Sequence, residues 1–364
     1  MTAPDVAVVG GGIVGCSLAA LLAEGGAAVR LYERDEVAAA ASGRNSGSLQ
    51  HPMDEALTAL HEASLRLYGE LGHGFELPAE PSGVLVVSDD RAALEADRAE
   101  LASRFPELAP EWLEGDALAR AEPALGAGLA AYRLATGRPV PPAAAARAWA
   151  SRAEAAGAEL RIGAAVERVG VRDGRVAGVV VGGELQPAGA VGVAAGPWTP
   201  GVADPGGGWR PIAALWGVVA EVRMAAPPVH MLEQAGVEEL TSPSGAGGWI
   251  FSAVTLDGVS AIGSTFMPSE PDPAAVAPQV LERAVRFLPA LAGAAALSVR
   301  ACPRPQSRDG RPLLGPLHGV DGLHVASGHG PWGISLGPAS ARLVADLVLG
   351  RPVELPPAFD PARF

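Results

Sequence analysis

Gly10-Gly11-Gly12-Ile13-Val14-Gly15 is the first place in this 364-residue sequence where residue type and spacing can do chemistry. The spacing is G-x-G-x-x-G. The first glycine permits a tight turn, the second lets backbone touch a pyrophosphate, and the third lets helix and strand pack closely. A helix starting there offers unpaired N–H groups and the positive end of its dipole to phosphate. Glu33, 21 residues after Gly12, falls where a carboxylate accepts from ribose hydroxyls. Glu33 would repel a 2′-phosphate, which argues against NADP, although Arg34 beside it weakens that argument. FAD and NAD both satisfy these residues.

Gly328-His329-Gly330-Pro331-Trp332-Gly333 repeats the spacing near the C-terminus, but only 31 residues follow Gly333, too few for a second βαβ unit. The overlapping Gly333-Ile334-Ser335-Leu336-Gly337 matches the hydrolase pattern G-x-S-x-G. That chemistry needs an acid and then a histidine after the serine, and the last histidine is His329. What remains is a strand end, a glycine turn and a helix N-terminus facing something flat. A flavin pyrimidine ring, anionic when reduced, would be stabilised there. A plain connecting loop with glycines for packing is the competing reading.

The other reactive residues exclude more than they offer. All 27 basic residues are arginine, so lysine Schiff-base chemistry is excluded. Cys16 and Cys302 have neither CxxC nor metal-ligand spacing, which argues against zinc, iron–sulfur and disulfide stapling and fits a reducing, cytoplasmic location. A net charge of -13 disfavours nucleic acid and anionic lipid as partners.

These residues need elements to position them. Val6–Val9 reads as a buried parallel strand, Ile13–Gly25 as a helix and Ala28–Tyr32 as a second strand, a βαβ opening. The uncharged stretch Val6–Ala23 is thereby explained without a membrane span. Ala40–Gln50 reads as a loop, Asp54–Leu71 as helix, Gly83–Ser88 as strand, and Asp90–Leu101 and Pro139–Gly157 as helices. Glu159–Ile162 is strand-like. A hairpin, Ala165–Val171 with Arg175–Val181, turns at Asp173-Gly174. Ala190–Ala195 is an apolar strand. Ala213–Arg223, Gly248–Val254 and Val259–Gly263 are strands of a second, mainly antiparallel region, interrupted by a helix at Ala274–Phe287. Leu323–Ser327 and Gly328–Leu349 return to strand, turn and helix. The fold class is α/β: a discontinuous Rossmann-type domain (1–80, 140–210, 300–364) with an inserted α+β domain (81–139, 211–299).

Together these motifs resemble the D-amino-acid oxidase/glycine oxidase/sarcosine oxidase superfamily of FAD enzymes. The matching parts are Val6–Gly15 with Glu33-Arg34; Ala41-Ser42-Gly43-Arg44-Asn45-Ser46-Gly47; Ala194-Ala195-Gly196-Pro197-Trp198; Arg304-Pro305 followed by Asp309-Gly310-Arg311-Pro312-Leu313-Leu314-Gly315; Gly328-His329-Gly330 with Gly333-Ile334; and the terminal Pro361-Ala362-Arg363-Phe364. The resemblance implies FAD rather than NAD. It implies a cofactor set of Gly10, Gly12, Ile13, Val14, Gly15, Glu33, Arg34, Ser42, Arg44, Asn45, Ser46, Gly47, Ser48, Leu49, Val166, Ala195, Gly196, Trp198, Arg304 and the turn Gly328, His329, Gly330, Pro331, Trp332, Gly333, Ile334 and Ser335. It also implies that Arg304 forks onto a substrate carboxylate; an ion pair with Asp309 is the competing role. Trp249, on the strand that lines the pocket in this superfamily, is a candidate to face substrate, ordinary sheet core being the competing reading, with Trp216 a weaker candidate. A second arginine that glycine-oxidase-like members carry in the last glycine turn is replaced by Pro331-Trp332. His51 and His329 are expected to make loop hydrogen bonds.

The expected reaction is oxidation of a C–N bond in a small amine or amino acid by hydride transfer to flavin N5, the imine then being hydrolysed. Oxygen, or a quinone or electron-transfer partner, reoxidises the flavin, and the missing lysine favours the latter. Non-covalent FAD is expected, with a thioether to Cys302 as the alternative. Oxidation of a 2-hydroxy acid and a non-catalytic flavin-binding assembly role are the rival functions. Oligomeric state is not encoded in any of these motifs.

Overall fold

The computed structural model describes residues 4–236 and 248–364. A six-stranded sheet runs in the spatial order Leu313–Pro316, Leu323–Ser327, Ala190–Val193, Val6–Val9, Val29–Glu33, Glu159–Ile162. All its pairs are parallel except that of Leu313–Pro316 with Leu323–Ser327. Val6–Val9 is fully buried and lies inside the sheet, the next strand of the chain, Val29–Glu33, on one side and the much later Ala190–Val193 on the other, so the strand order reverses there. That reversal leaves a crevice beyond its carboxyl end, where Gly10 begins.

A strand buried on both faces needs two covers. Val6, Val8 and Leu31 pack into a core with the helices Ile13–Glu24, Glu55–Gly69, Pro142–Ala155 and Gly333–Val348. Ala7, Val9 and Tyr32 point the other way, onto Val169 and Val179 of a three-stranded antiparallel sheet. The hairpin of that sheet turns where expected: Asp173 and Gly174 both have positive φ, 51° and 73°, the conformation a two-residue hairpin turn requires.

The second sheet has eight strands, in the order Ser298–Ser307, Ile212–Arg223, Val259–Thr265, Trp249–Leu256, Met231–Gln234, Val84–Ser88, Ala130–Leu134, Glu111–Glu114. It is antiparallel apart from the pairing of Met231–Gln234 with Val84–Ser88. Val218, Ala220 and Val222 face a core shared with Ala277, Val280, Leu281 and Ala284 of the helix Pro273–Ala284. The alternate residues of the same strand face the first domain.

Two readings change. Residues 300–307 belong to the second sheet, because Ser298–Ser307 is paired with Ile212–Arg223 along its whole length. The stretch Ala40–Gln50 is more ordered than a loop. It contains a one-turn helix, Ala41–Arg44, and a short strand, Ser48–Leu49, paired with Arg138–Pro139. Gly47 (φ +83°) permits this, since a Cβ there would overlap the Val140 carbonyl. No helix among the described residues is long and apolar enough to cross a membrane. Cys16 and Cys302 are both free and buried.

Candidate functional site

A cavity of about 780 Å³ lies between the two sheets. Its nucleotide end is built by backbone. Gly10 (φ +108°) passes so close to Ala194 that a Cβ would overlap the Ala194 carbonyl oxygen. Gly15 lies against the Gly10 carbonyl oxygen in the same way. It faces the turn rather than the cavity, so its role is packing. The helix that begins at Ile13 has Gly12 as its N-cap and no acid in its first turn, leaving its positive end uncompensated by carboxylates of its own. Ile13 N–H donates to Ser42 Oγ at 2.9 Å, which draws the Ala41–Arg44 turn over the helix start.

Glu33 is fixed by two backbone donors: Gly11 N–H reaches Oε2 at 2.6 Å and Asp35 N–H reaches Oε1 at 2.9 Å. A carboxylate has about four acceptor sites, so both oxygens retain capacity for ribose hydroxyls. Arg34 lies over the Trp198 ring at 3.8 Å, and both line this end of the cavity with Val166, Ala195 and Gly196.

The second glycine turn reaches the same cavity. His329, Gly330, Pro331, Trp332, Gly333 and Ile334 line it together with Gly10, Gly12, Ile13 and Val14. One packing contact brings the two turns together, and one hydrogen bond ties the second to the turn after Ala190–Val193. A Cβ on Gly337 would meet Ile13 Cγ2 at 3.1 Å, so the helix after the second turn lies directly on the helix after the first. Ser327 Oγ donates to the Gly196 carbonyl at 2.8 Å. His329 is buried, its Nε2 2.9 Å from Ser340 Oγ, and burial pushes its pKa down to about 4. His51 does not line the cavity. Its Nδ1 accepts from Met53 N–H at 3.0 Å, and burial lowers its pKa.

At the other end the walls are side chains from the eight-stranded sheet. Arg304 extends across the neighbouring strand above Gly217, where any side chain would overlap its guanidinium. Its Nη1 donates to the Thr265 carbonyl at 2.8 Å and its Nη2 to Ser264 Oγ at 2.6 Å, and Phe266 lies against its face at 4.6 Å. These bonds use two of its five donors. Asp309 is not its partner: that carboxylate is held by Arg363 at 2.7 Å. No carboxylate pairs with Arg304 among the described residues, and burial lowers its pKa.

Ser42, Asn45, Ser46 and Ser48 line the cavity, whereas Arg44, Gly47, Leu49, Gly328 and Ser335 do not. Leu49 is core. Gly328 (φ +86°) turns the chain, and Ser335 Oγ accepts from Gln50 N–H at 3.1 Å. Arg44 contributes its carbonyl, which accepts from Arg300 Nε at 3.0 Å. Trp249 also lies outside. Strand parity puts Ile250, Ser252 and Val254 on the cavity face, and Trp249 packs instead beside the helix core, under Arg283. Trp216 is likewise absent from the lining. Cys302 does line the cavity, its Sγ 3.7 Å from the Ala41 carbonyl. Residues not anticipated include Gln50, Glu233, Ser252, Ser264 and Phe266. Only the period-2 pattern of Trp249–Leu256 carried a signal for any of them.

The donor set fits FAD. An elongated cleft runs from a ribose-type carboxylate, past a helix N-terminus, to a glycine turn whose side-chain-free backbone can approach a ring. The family described as FAD dependent oxidoreductase matches residues 5–347. A glycine oxidase of Pseudomonas aeruginosa is 32% identical over 378 residues, covering 99% of this chain and 97% of that protein. Among solved structures, iminodiacetate oxidase from Chelativorans sp. BNC1 superposes with a TM-score of 0.83 at 25% identity, covering 98% of each chain. Glycine oxidase from Geobacillus kaustophilus gives 0.84 at 24% identity over 100% of each, a likeness of fold.

Proposed function

Since this chain belongs to the FAD dependent oxidoreductase family and is an enzyme of the amino-acid and amine oxidase type, we infer that it oxidises the C–N bond of a small amino acid whose carboxylate is held by Arg304. The observation that carries this reading is the Arg304 guanidinium itself. It is a half-buried cation with no carboxylate partner among the described residues, in a cavity that the second glycine turn also lines. A buried charge without its counter-ion is costly, and a forked substrate carboxylate supplies that counter-ion and fixes orientation together.

In this scheme Gly10, Gly12, Ile13 and Val14 hold the pyrophosphate, Glu33 holds the ribose, and Arg34, Val166, Ala195, Gly196 and Trp198 enclose the nucleotide. Ser42, Asn45, Ser46, Ser48 and the turn from His329 to Ile334 frame the ring. Bound FAD supplies the hydride acceptor, N5, for the hydrogen on the carbon bearing the amine. The residues of this chain position that carbon: Arg304 fixes the carboxylate, and Ile250, Val254 and Phe266 exclude water beside it. The amine enters as its free base, so no side chain has to remove a proton from carbon. Loss of hydride leaves an imine, which takes up water and releases ammonia. Oxygen or a quinone then accepts the two electrons.

Arg304→Met tests the assignment. KM for a carboxylated substrate is expected to rise by roughly a hundredfold with flavin content retained, the scale of losing two charge-assisted hydrogen bonds. An unchanged KM removes Arg304 from this role. Parallel anaerobic titrations with 2-hydroxy acids, read by loss of flavin absorbance, separate C–N from C–O oxidation.

A further inference from the structure

The substrate end of the cavity holds a second charged group. Four acids line the cavity among the described residues. Glu33, Asp35 and Glu167 lie at the nucleotide end, whereas Glu233 lies on the eight-stranded sheet with Arg304. The sheet register places it. Ser252 is paired with Glu233 on one side and with Gly263 on the other, so all three share the cavity face. Ser264, next along from Gly263, is the residue whose hydroxyl accepts from Arg304 at 2.6 Å. Glu233 therefore stands two strands, about 10 Å of sheet, from the residue that anchors the guanidinium. Its Oε2 accepts from Gln50 Nε2 at 3.0 Å, and Gln50 Oε1 accepts from Ser48 Oγ at 2.8 Å, which ties the carboxylate to the loop that frames the ring.

We propose that Glu233 is the specificity-determining residue of the site, and that it selects amino acids with a second, distal cationic group, of the ornithine or lysine type. This rests on the assignment of Arg304 to the substrate carboxylate. The α-nitrogen is joined to the carbon that bears the carboxylate, so it stays beside Arg304. A group that meets Glu233 must come from the far end of the side chain. Ser252 lies between Glu233 and Arg304 by register, and Ile250 and Val254, which flank it on the cavity face of the intervening strand, suit the methylenes that separate the two charges.

The test compares ornithine with norleucine, its neutral isostere, using both enantiomers and anaerobic flavin reduction of the holoenzyme. The native enzyme is expected to favour ornithine over norleucine by at least about tenfold in kcat/KM. Glu233→Gln keeps the carbonyl acceptor for Gln50 and is expected to raise KM for ornithine at least about tenfold more than KM for norleucine, which abolishes that preference. Glu233→Asp should restore part of it. Equal losses on both substrates in Glu233→Gln would show that the residue only supports the Gln50 loop, and would overturn the proposal. So would a native enzyme that reduces equally fast with norleucine; in that case the Arg304 assignment survives. If no amino acid reduces the flavin, both fall.

Discussion

The two ends of the cavity are made by different means. At the end proposed for the nucleotide, the wall is main chain: glycines 10 and 12, a helix N-terminus and a carboxylate held by backbone N–H groups. At the other end, proposed above to hold substrate, the walls are side chains from strands that are far apart in sequence: Arg304 from Ser298–Ser307, Ser264 from Val259–Thr265, Glu233 from Met231–Gln234. A backbone site tolerates no added atoms, and a side-chain site can change its partner by a single substitution. Binding of the cofactor should thus be lost by adding bulk at the first end, and substrate choice altered by removing charge at the second.

The largest effect expected from this contrast is at Gly15. A Cβ there would overlap the Gly10 carbonyl oxygen. Gly15→Val should force the turn open and give colourless or insoluble protein, read by absorbance near 450 nm against protein concentration. A yellow, stable Gly15→Val variant would show that the turn is not held by close packing.

This difference also governs how much was legible from sequence. The nucleotide end was legible because its parts are contiguous: a turn, a helix start and a strand end within Val6–Glu33. Convergence of the two glycine turns, which lie near opposite ends of the chain, was legible only from their repeated spacing and the superfamily resemblance. The substrate end was not. Met231–Gln234 is a four-residue strand with no alternating pattern, and its partners come from Val84–Ser88 and Trp249–Leu256. For Trp249 both pocket wall and sheet core were open from sequence, since one residue of parity separates it from Ile250, and it lies on the core side. Arg304 was found from its motif, whereas its freedom from Asp309 depended on Arg363 arriving from the C-terminus.

Acid should weaken the cofactor end first. Burial pushes both His329 and His61 down to about 4. Each is neutral in the folded protein at pH 6.5, where the unfolded form begins to take up a proton. Between about pH 6.5 and 4 the unfolded state binds more protons, so stability falls as pH is lowered, by up to about 3 kcal/mol for each group. Tm measured across this range should drop, and less steeply in His329→Gln. An identical slope in that variant would remove His329 as a source of acid sensitivity.

Between the two ends stands Arg300, whose loss should cost less. Its Nε and Nη2 donate to the Arg44 and Asn45 carbonyls at 3.0 Å each, and Glu221 holds it from the other side. It is a positioning residue that fastens the ring-framing loop to the substrate sheet. Arg300→Leu should weaken FAD binding by about 2 kcal/mol, near thirtyfold in Kd, with the ornithine-to-norleucine ratio unaltered. A change in that ratio with FAD affinity intact would place Arg300 in the substrate site instead.

The smallest effect should come from Cys302, although it lies at the junction and faces the cavity. A thioether to the flavin requires a thiolate, because the thiolate is the nucleophile. Three arginines, 304, 300 and 44, favour that anion, yet burial outweighs them and raises the thiol above its ordinary value. The thiol donates to the Ala41 carbonyl at 3.7 Å, an acceptor that suits S–H and not S⁻. Both influences keep the sulfur protonated and unreactive, so acid precipitation should release all the FAD into the supernatant. Cys302→Ala should behave alike, with a stability loss on the order of 1 kcal/mol from the small void. Flavin that stayed with the native pellet and left that of Cys302→Ala would mean that bound cofactor overrides burial, and that the positive surroundings of Cys302 control its chemistry.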